Sequence, residues 1–131
     1  MAPSTVTIEI APGELVDKIT ILEIKLDRIK DPGKVKNIRA EHDTLTGARD
    51  DAVSPSPELD LLTSELKAVN AKLWQIEDDI RDCERSKDFG QTFIDLARAV
   101  YFSNDERSII KRRINELLGS PLIEEKSYAA Y

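Results

Sequence analysis

The sequence predicts a mainly α-helical protein, an antiparallel helical bundle built on two long helices over about 57–85 and 91–118. Between residues 59 and 83 the apolar residues recur at alternating spacings of three and four, which is the pattern of a helix that packs one narrow stripe against its neighbours. Charged residues make up 34% of the chain and aromatic residues only 5%, a balance that favours solvated helices over aromatic-rich β-sandwiches. The stripe consists of Leu59, Leu62, Leu66, Val69, Leu73, Ile76, Ile80 and Cys83.

A short β-strand is predicted near the N-terminus, over about residues 5–10. Val6, Ile8 and Ile10 alternate there with polar residues, which is the period of a half-buried strand. A lone strand needs a hydrogen-bonding partner for its backbone groups. Two partners remain open, namely the C-terminal tail around 122–128 and a second subunit.

The first helix is predicted over about 14–30, after a break at residues 11–13. Its apolar residues recur every three or four positions, and Ile21 and Ile24 widen this apolar face beyond a single stripe. A face of this width predicts contacts with more than one neighbour, or with a dimer partner. The regular positions are Leu15, Ile19, Leu22, Leu26 and Ile29.

A shorter second helix is predicted over about 33–47. Asp31 is suited to cap its N-terminus, Pro32 to occupy its first turn, and Gly47 to mark its end. The residue before a proline is disfavoured in a helix but not excluded from it, so the sequence leaves open whether this helix continues the first. Residues 48–56 are rich in aspartate, proline and small side chains, which predicts a flexible exposed loop.

The two long helices are expected to form an antiparallel hairpin. Ser56 and Pro57 supply the cap and the first-turn proline of the earlier one, which would extend roughly 40 Å. Residues 86–90 predict a tight reversal between the two helices. Gly119 and Pro121 are the stop signals expected after the end of the last helix.

Three polar residues interrupt the apolar pattern of the last helix. Counting by threes and fours from Phe93 leads to Asn104, Arg107 and Lys111 before apolar residues resume. Buried cations without partners would be costly, so these side chains must reach water, carboxylates or an anionic ligand. The candidate anion-binding residues are therefore Asn104, Arg107, Lys111 and Arg98.

The same residues admit a purely structural interpretation. The helix can make contact through a different register, in which Lys111 moves to the edge of the apolar face. In an antiparallel hairpin the polar interruption lies roughly opposite residues 64–71, where Glu65 and Asn70 could pair with it. The alternative register runs through Leu96, Val100, Ile110, Ile114 and Leu117.

Paired carboxylates raise the question of a metal site. Glu23 and Asp27 lie one turn apart on the first helix, and Glu77 and Asp78 lie on the third. Helices that each offer carboxylates can hold Mg²⁺, as all-α nucleotide pyrophosphohydrolases do. The chain lacks the doubled-glutamate helix motif of those enzymes, and Glu77 with Arg81 has the spacing of an ordinary surface ion pair. We therefore expect no metal and no other cofactor.

The remaining chemistry-bearing residues point away from catalysis. His42 is the single histidine and Cys83 the single cysteine, so neither a histidine-rich metal site nor a Ser-His triad can be assembled. Trp74 and Tyr101 could wall a ligand pocket, although packing in or beside a core is the commoner use of such residues. These observations favour a non-enzymatic protein.

Composition argues against several classes of function. A net charge of −6 disfavours binding to nucleic acid, which needs a clustered positive face. No apolar run approaches the ~20 residues of a membrane span. One cysteine and no leader pattern predict a cytoplasmic protein, and 131 residues fit one helical domain over 1–131.

Six segments along the chain carry a family resemblance. They are GELVDKITILEIK at 13–25, LWQIEDDIR at 73–81, FIDLAR at 93–98, VY at 100–101, NDER at 104–107 and EEKSY at 124–128. Together they resemble an uncharacterised bacterial family, a domain of unknown function made of short, mostly helical proteins. The resemblance runs nearly end to end and departs mainly in residues 48–56. It implies no activity, but it implies an accessory role beside surface-polysaccharide and glycosyltransferase functions.

Our first hypothesis for the function is a non-enzymatic interaction or accessory protein that self-associates as a homo-oligomer or binds a protein partner. It depends on more apolar helix surface than one hairpin can cover and on the lack of a catalytic constellation. The alternative is a helical-bundle enzyme or sensor that binds a small phosphate or carboxylate anion between its long helices. A Mg²⁺-dependent nucleotide pyrophosphohydrolase is a third interpretation.

Overall fold

The computed structural model describes residues 4–131, in which the chain forms four α-helices: α1 (Pro12–Arg28), α2 (Pro32–Ala52), α3 (Pro57–Ser86) and α4 (Gln91–Leu117). The prediction of a mainly helical protein with two long helices is confirmed. Among these four helices, none combines the length and the apolar character that crossing a lipid bilayer requires.

The starts of α2 and α3 are set by the predicted caps. The carboxylate of Asp31 accepts a hydrogen bond from the backbone N–H of Lys34 at 3.0 Å, and the hydroxyl of Ser56 accepts one from Leu59 at 3.1 Å. Each cap satisfies a first-turn N–H that has no partner within its own helix. At the other end of α3, Lys87 adopts a left-handed conformation with φ of 56°, which turns the chain toward α4.

Helix α1 is the centre of the arrangement. It packs against the α3–α4 hairpin on one side and against α2 on the other, whereas α2 contacts α1 and neither of the long helices. Burial of the wide apolar face of α1 stabilises this arrangement, and its residues Val16 and Ile19 are each 1% exposed. The main buried cluster joins three helices through Val16, Leu59, Leu66, Val69, Ile110 and Ile114.

The predicted strand at residues 5–10 does not form within the chain. Residues 4–11 have no regular secondary structure, and no backbone group of residues 5–10 bonds to any part of 4–131. The tail around 122–128, one of the two predicted partners, is held by ion pairs from Glu124 and Glu125 to α4 rather than by strand pairing. The predicted pairing of residues 5–10 with the C-terminal tail is therefore wrong.

The boundaries of the second helix also differ from the prediction. Residues 48–52 belong to α2, so the loop predicted over 48–56 shrinks to four residues. Gly47 lies inside α2, at a position where a Cβ would meet nothing within 4 Å. A glycine inside a helix lowers the stability of the helix only modestly, so the helix continues past it. The question of continuity is answered by Ile29, whose extended backbone ends α1 before α2 begins.

Candidate functional site

A buried ion pair joins α1 to α4. Asp17 is 1% exposed, and both of its carboxylate oxygens accept hydrogen bonds from Arg107. Nε of Arg107 lies 2.9 Å from Oδ1, and Nη2 lies 2.5 Å from Oδ2. This two-point geometry is the strong form of an arginine–carboxylate contact. Three partners were predicted for Arg107, namely water, a carboxylate and an anionic ligand. The structure shows the carboxylate of Asp17 in this role.

Two residues from neighbouring helices complete the environment of Asp17. Nδ2 of Asn70 on α3 donates to Oδ1 of Asp17 at 2.8 Å and to the hydroxyl of Thr20 at 2.9 Å. The Thr20 hydroxyl in turn donates to the backbone carbonyl of Asp17 at 2.8 Å. The orientation of the Asn70 amide follows, since both partners need a donor. We call Asp17, Thr20, Asn70 and Arg107 the polar centre.

The polar centre keeps Asp17 ionised. Burial alone would raise the pKa of its carboxyl group. Hydrogen bonds from Arg107 and Asn70, together with the positive charges of Arg107 and Lys111, outweigh burial and lower the pKa below its usual value. The same contact raises the pKa of Arg107. The centre therefore holds a permanent charge pair at neutral pH.

Lys111 lies one turn beyond Arg107 and is also paired with carboxylates. Its Nζ is 2.6 Å from Oε2 of Glu14, 3.8 Å from Asp17 and 3.4 Å from Glu124 in the C-terminal tail. Burial tends to lower the pKa of Lys111, whose side chain is 12% exposed, but these carboxylates raise it overall. The polar interruption of α4 is therefore neutralised by the chain itself.

A cleft of about 550 Å³ lies beside the polar centre, between α1, α3 and α4. Its volume falls in the range of small-molecule sites. Arg107 and Asn70 line one end, Trp74 and Asn104 lie along it, and a mixed-charge group from α3 lines the other end. That group is Glu77, Asp78 and Arg81; the apolar lining is Ile21, Ile24, Leu73 and Val100.

The cleft does not gather all of the predicted site residues. Asn104, Arg107 and Trp74 line it, whereas Lys111 does not. Arg98 is exposed, with its guanidinium carbon 5.8 Å from the centre of the Phe102 ring. Tyr101 faces a different cavity, formed with the C-terminal tail.

The carboxylates considered for a metal are dispersed. Glu23 contacts His42 at 3.3 Å and Lys67 at 3.5 Å, and Asp27 is exposed. Glu77 pairs with Arg81 at 3.3 Å, as its spacing predicted. Glu77 and Asp78 line the cleft, but within residues 4–131 no three His, Cys, Asp or Glu side chains are placed so that they could hold a metal ion together.

Near the N-terminus, the surface carries apolar side chains that touch little else. Val6 is 87% exposed and Ile8 is 70% exposed. Their backbone groups lie in the segment that makes no hydrogen bond with residues 4–131. This segment combines unpaired backbone groups with exposed apolar side chains.

Sequence reasoning missed the residue at the heart of the polar centre. Asp17 stands within the apolar first helix, where a single charge reads as a surface position. A signal was present, because Gly13, Asp17, Thr20 and Ile24 are spaced four, three and four apart, which puts them on one face of a helix. In the structure all four are buried. They form a second buried stripe on α1, half of it polar.

Comparisons with known proteins place the chain in a family. No curated protein and no solved structure matches it. A family model described as a family of unknown function (DUF6165) matches residues 6–131. The match covers nearly the whole chain and confirms the resemblance carried by its sequence segments. The chain therefore belongs to this family of unknown function.

Proposed function

We propose that the protein is a non-enzymatic interaction protein that self-associates through residues 5–10. The observation that supports this proposal is the combination of Val6 and Ile8, 87% and 70% exposed, with backbone groups that bond to nothing in residues 4–131. The wide apolar face of α1 does not serve this purpose, because α2, α3 and α4 already cover it. Residues 5–10 combine exposed apolar side chains with backbone groups that make no hydrogen bond to residues 4–131, and both features favour pairing with a second chain.

Antiparallel pairing of this segment with its copy would satisfy the unpaired backbone groups. A two-fold axis at Ile8 sets Ile8 opposite its own copy and Val6 opposite Ile10 of the partner subunit, so the apolar side chains share one face. Thr7 then lies opposite Glu9, and no like charges meet. A two-stranded ribbon alone is marginally stable, so we expect dimerisation to depend on protein concentration.

Sedimentation velocity over a hundredfold range of concentration tests the proposal. The wild-type chain should shift from monomer to dimer as the concentration rises. The variant Val6→Ser with Ile8→Ser should remain monomeric, because it removes the apolar face while leaving the helices untouched.

The matched control is Thr5→Ser with Thr7→Ser, which alters the opposite face of the same segment and should dimerise like the wild type. A wild-type chain that stays monomeric at every concentration contradicts self-association. Equal dimerisation of both double variants would move the interface away from residues 5–10.

Two further parts of the proposal come from the sequence: the location from the single cysteine and the lack of a leader pattern, and the role from the family resemblance. We propose a cytoplasmic location and an accessory role beside the synthesis of surface polysaccharide. The measurement is co-purification of the tagged chain from its source cells, with the Val6→Ser and Ile8→Ser double variant as the comparison.

A second candidate function is the binding of a small molecule in the cleft. It is favoured by one specific observation, the position of Trp74, Asn104 and Arg107 along the same cavity. Only part of the predicted anion site is available there, because Asp17 already bonds to one edge of Arg107, and Lys111 pairs with Glu14 and does not line the cleft.

A further inference from the structure

The polar centre uses only one edge of the Arg107 guanidinium. Asp17 occupies Nε and one hydrogen of Nη2. The end-on edge, formed by Nη1 and the second hydrogen of Nη2, has no acceptor among residues 4–131, and the side chain is 29% exposed where it lines the cleft. An arginine can bind two carboxylates through its two edges. The free edge of Arg107 can therefore bind a second carboxylate at this end of the cleft.

The opposite end of the cleft carries a carboxylate that could pair with a positively charged group. Asp78 makes no salt bridge with any described residue, whereas its neighbour Glu77 is paired with Arg81. Asp78 stands eight residues after Asn70 on the same helix, which corresponds to about 12 Å at 1.5 Å per residue. The cleft thus has the unused edge of Arg107 beside Asn70, since both side chains bond to Asp17, and an unpaired carboxylate about two helical turns further along α3.

The wall between these ends suits a peptide. Trp74, Leu73 and Val100 offer apolar surface. Asn104 offers both a donor and an acceptor, and Oδ1 of Asn70 accepts no hydrogen bond from residues 4–131. A fully extended chain of three residues spans about 10 Å, which is comparable with the rise of α3 from Asn70 to Asp78.

We propose that the cleft binds a short zwitterionic peptide of about three residues. Its terminal carboxylate bonds to the free edge of Arg107, its terminal ammonium pairs with Asp78, and its apolar side chain packs on Trp74. A free amino acid carries its two charges too close together to reach both ends. This inference rests on the second candidate function, names its ligand, and does not involve residues 5–10.

Trp74 provides a direct readout, because it is the only tryptophan in the chain and it lines the cleft. Titration with the tripeptide Ala-Leu-Ala should change its fluorescence in a saturable way. The C-terminal amide and the N-acetyl form of the same peptide should each bind at least tenfold more weakly, because each removes one charged end. Free leucine should bind more weakly than the tripeptide.

The variant Asp78→Asn should weaken binding of the free tripeptide about tenfold and leave binding of its N-acetyl form unchanged. The matched control is Asp82→Asn, one turn further along α3, where the carboxylate pairs with Arg85 and does not line the cleft. This control should bind the peptide like the wild type. Both positions are exposed, so folding is preserved in each variant.

No fluorescence response to the tripeptide at 10 mM, equal binding of the amidated and free peptides, or equal effects of Asp78→Asn and Asp82→Asn would each overturn the proposal. A response to inorganic phosphate or acetate without one to the tripeptide would keep the cleft as a binding site but reject the peptide. The variant Val6→Ser with Ile8→Ser should bind the tripeptide normally, so the outcome is separate from that of self-association.

Discussion

The backbone N–H of Gly13 donates a 2.7 Å hydrogen bond to Oδ1 of Asn115, where the first turn of α1 meets the last turns of α4. A Cβ atom placed on Gly13 would lie 2.5 Å from the backbone oxygen of Lys111 and 2.8 Å from Oδ1 of Asn115. The glycine is therefore required by the close approach of two helices. This contact fixes the depth at which α1 lies in the α3–α4 hairpin.

Substitution of Gly13 by alanine is expected to destabilise the fold. The clash involves a backbone carbonyl, so α1 must move away from α4, at a cost of about 2 kcal/mol in the free energy of unfolding. The control is Gly47→Ala in α2, where nothing lies within 4 Å of the added Cβ. That variant should gain about 0.5–1 kcal/mol, because alanine is the better helix former. Urea unfolding of the three chains measures both changes.

Loss of the Arg107 side-chain charge should be more costly. Arg107→Met leaves Asp17 buried without its partner, which should lower the free energy of unfolding by about 3 kcal/mol. Arg112→Met is the matched control on the same helix, because Arg112 is exposed and its partners among residues 4–131 are Glu116 and Glu125. It should change stability by less than about 0.5 kcal/mol. Thermal and urea unfolding provide the comparison.

The double variant Arg107→Ala with Lys111→Ala tests the role of the polar interruption as a whole. If Arg107 and Lys111 mainly served to bind a ligand, their removal would relieve the repulsion between two positive charges and would change the free energy of unfolding little. The pairing of Arg107 with Asp17 and of Lys111 with Glu14 predicts strong destabilisation instead. A double variant as stable as the wild type would contradict the structural role, and calorimetry in the absence of added ligand decides between the two.

The stability of the fold should depend on pH through Asp17. Its pKa is lower in the folded state than its usual value of 3.8, so the folded state binds the proton less readily than the unfolded chain. The contribution of Asp17 is therefore fully present above about pH 4 and is lost as the pH falls through the lower folded-state pKa. Urea unfolding measured from pH 6 down to pH 2.5 should show this loss.

The variant Asp17→Asn provides the reference for that measurement. It lacks the titrating group, so its stability should start lower at pH 6 and fall less steeply on acidification than that of the wild type. Parallel pH profiles for the two chains would mean that other carboxylates carry the acid sensitivity.

Much of the fold could be predicted from the sequence because the relevant signals are local. The alternating threes and fours of α3, the caps Asp31 and Ser56, and the glycine and proline after α4 all act within a few residues of where they stand. Lys111 and Arg107 were also recognised as needing partners. Asn70 was among the partners proposed for the interruption, and it does lie beside Arg107 around Asp17.

What the sequence could not supply are relationships between distant residues. Asp17 lies 53 positions from Asn70 and 90 from Arg107, and nothing near Asp17 indicates that these residues surround it. The strand at 5–10 was predicted from alternation alone, but a strand also needs a neighbour, and residues 4–131 do not provide one. The second helix was predicted to end at Gly47 because glycine is a common stop signal, whereas α2 continues through polar residues to Ala52.

The C-terminal tail is expected to be fastened by Tyr131. Its hydroxyl donates to Asp105, and its ring packs edge-on against Tyr101 and Phe102, with ring centres 5.3 and 4.7 Å away. Tyr131→Ala should speed trypsin cleavage after Lys126, because the tail then loses its outermost contact. Tyr131→Phe keeps the ring and should show an intermediate rate. Cleavage that is equally fast in all three chains would contradict this fastening.

Helix α2 packs against α1 but against neither of the long helices, so it is the least firmly held of the four helices. Helix α2 buries no residue completely, so we expect it to open locally while the other three helices stay assembled. Amide protons of α2 should then exchange with solvent by this partial opening, well before those of α3, whose exchange requires the whole bundle to come apart. Such local opening would expose the face of α1 that α2 covers without unfolding the protein.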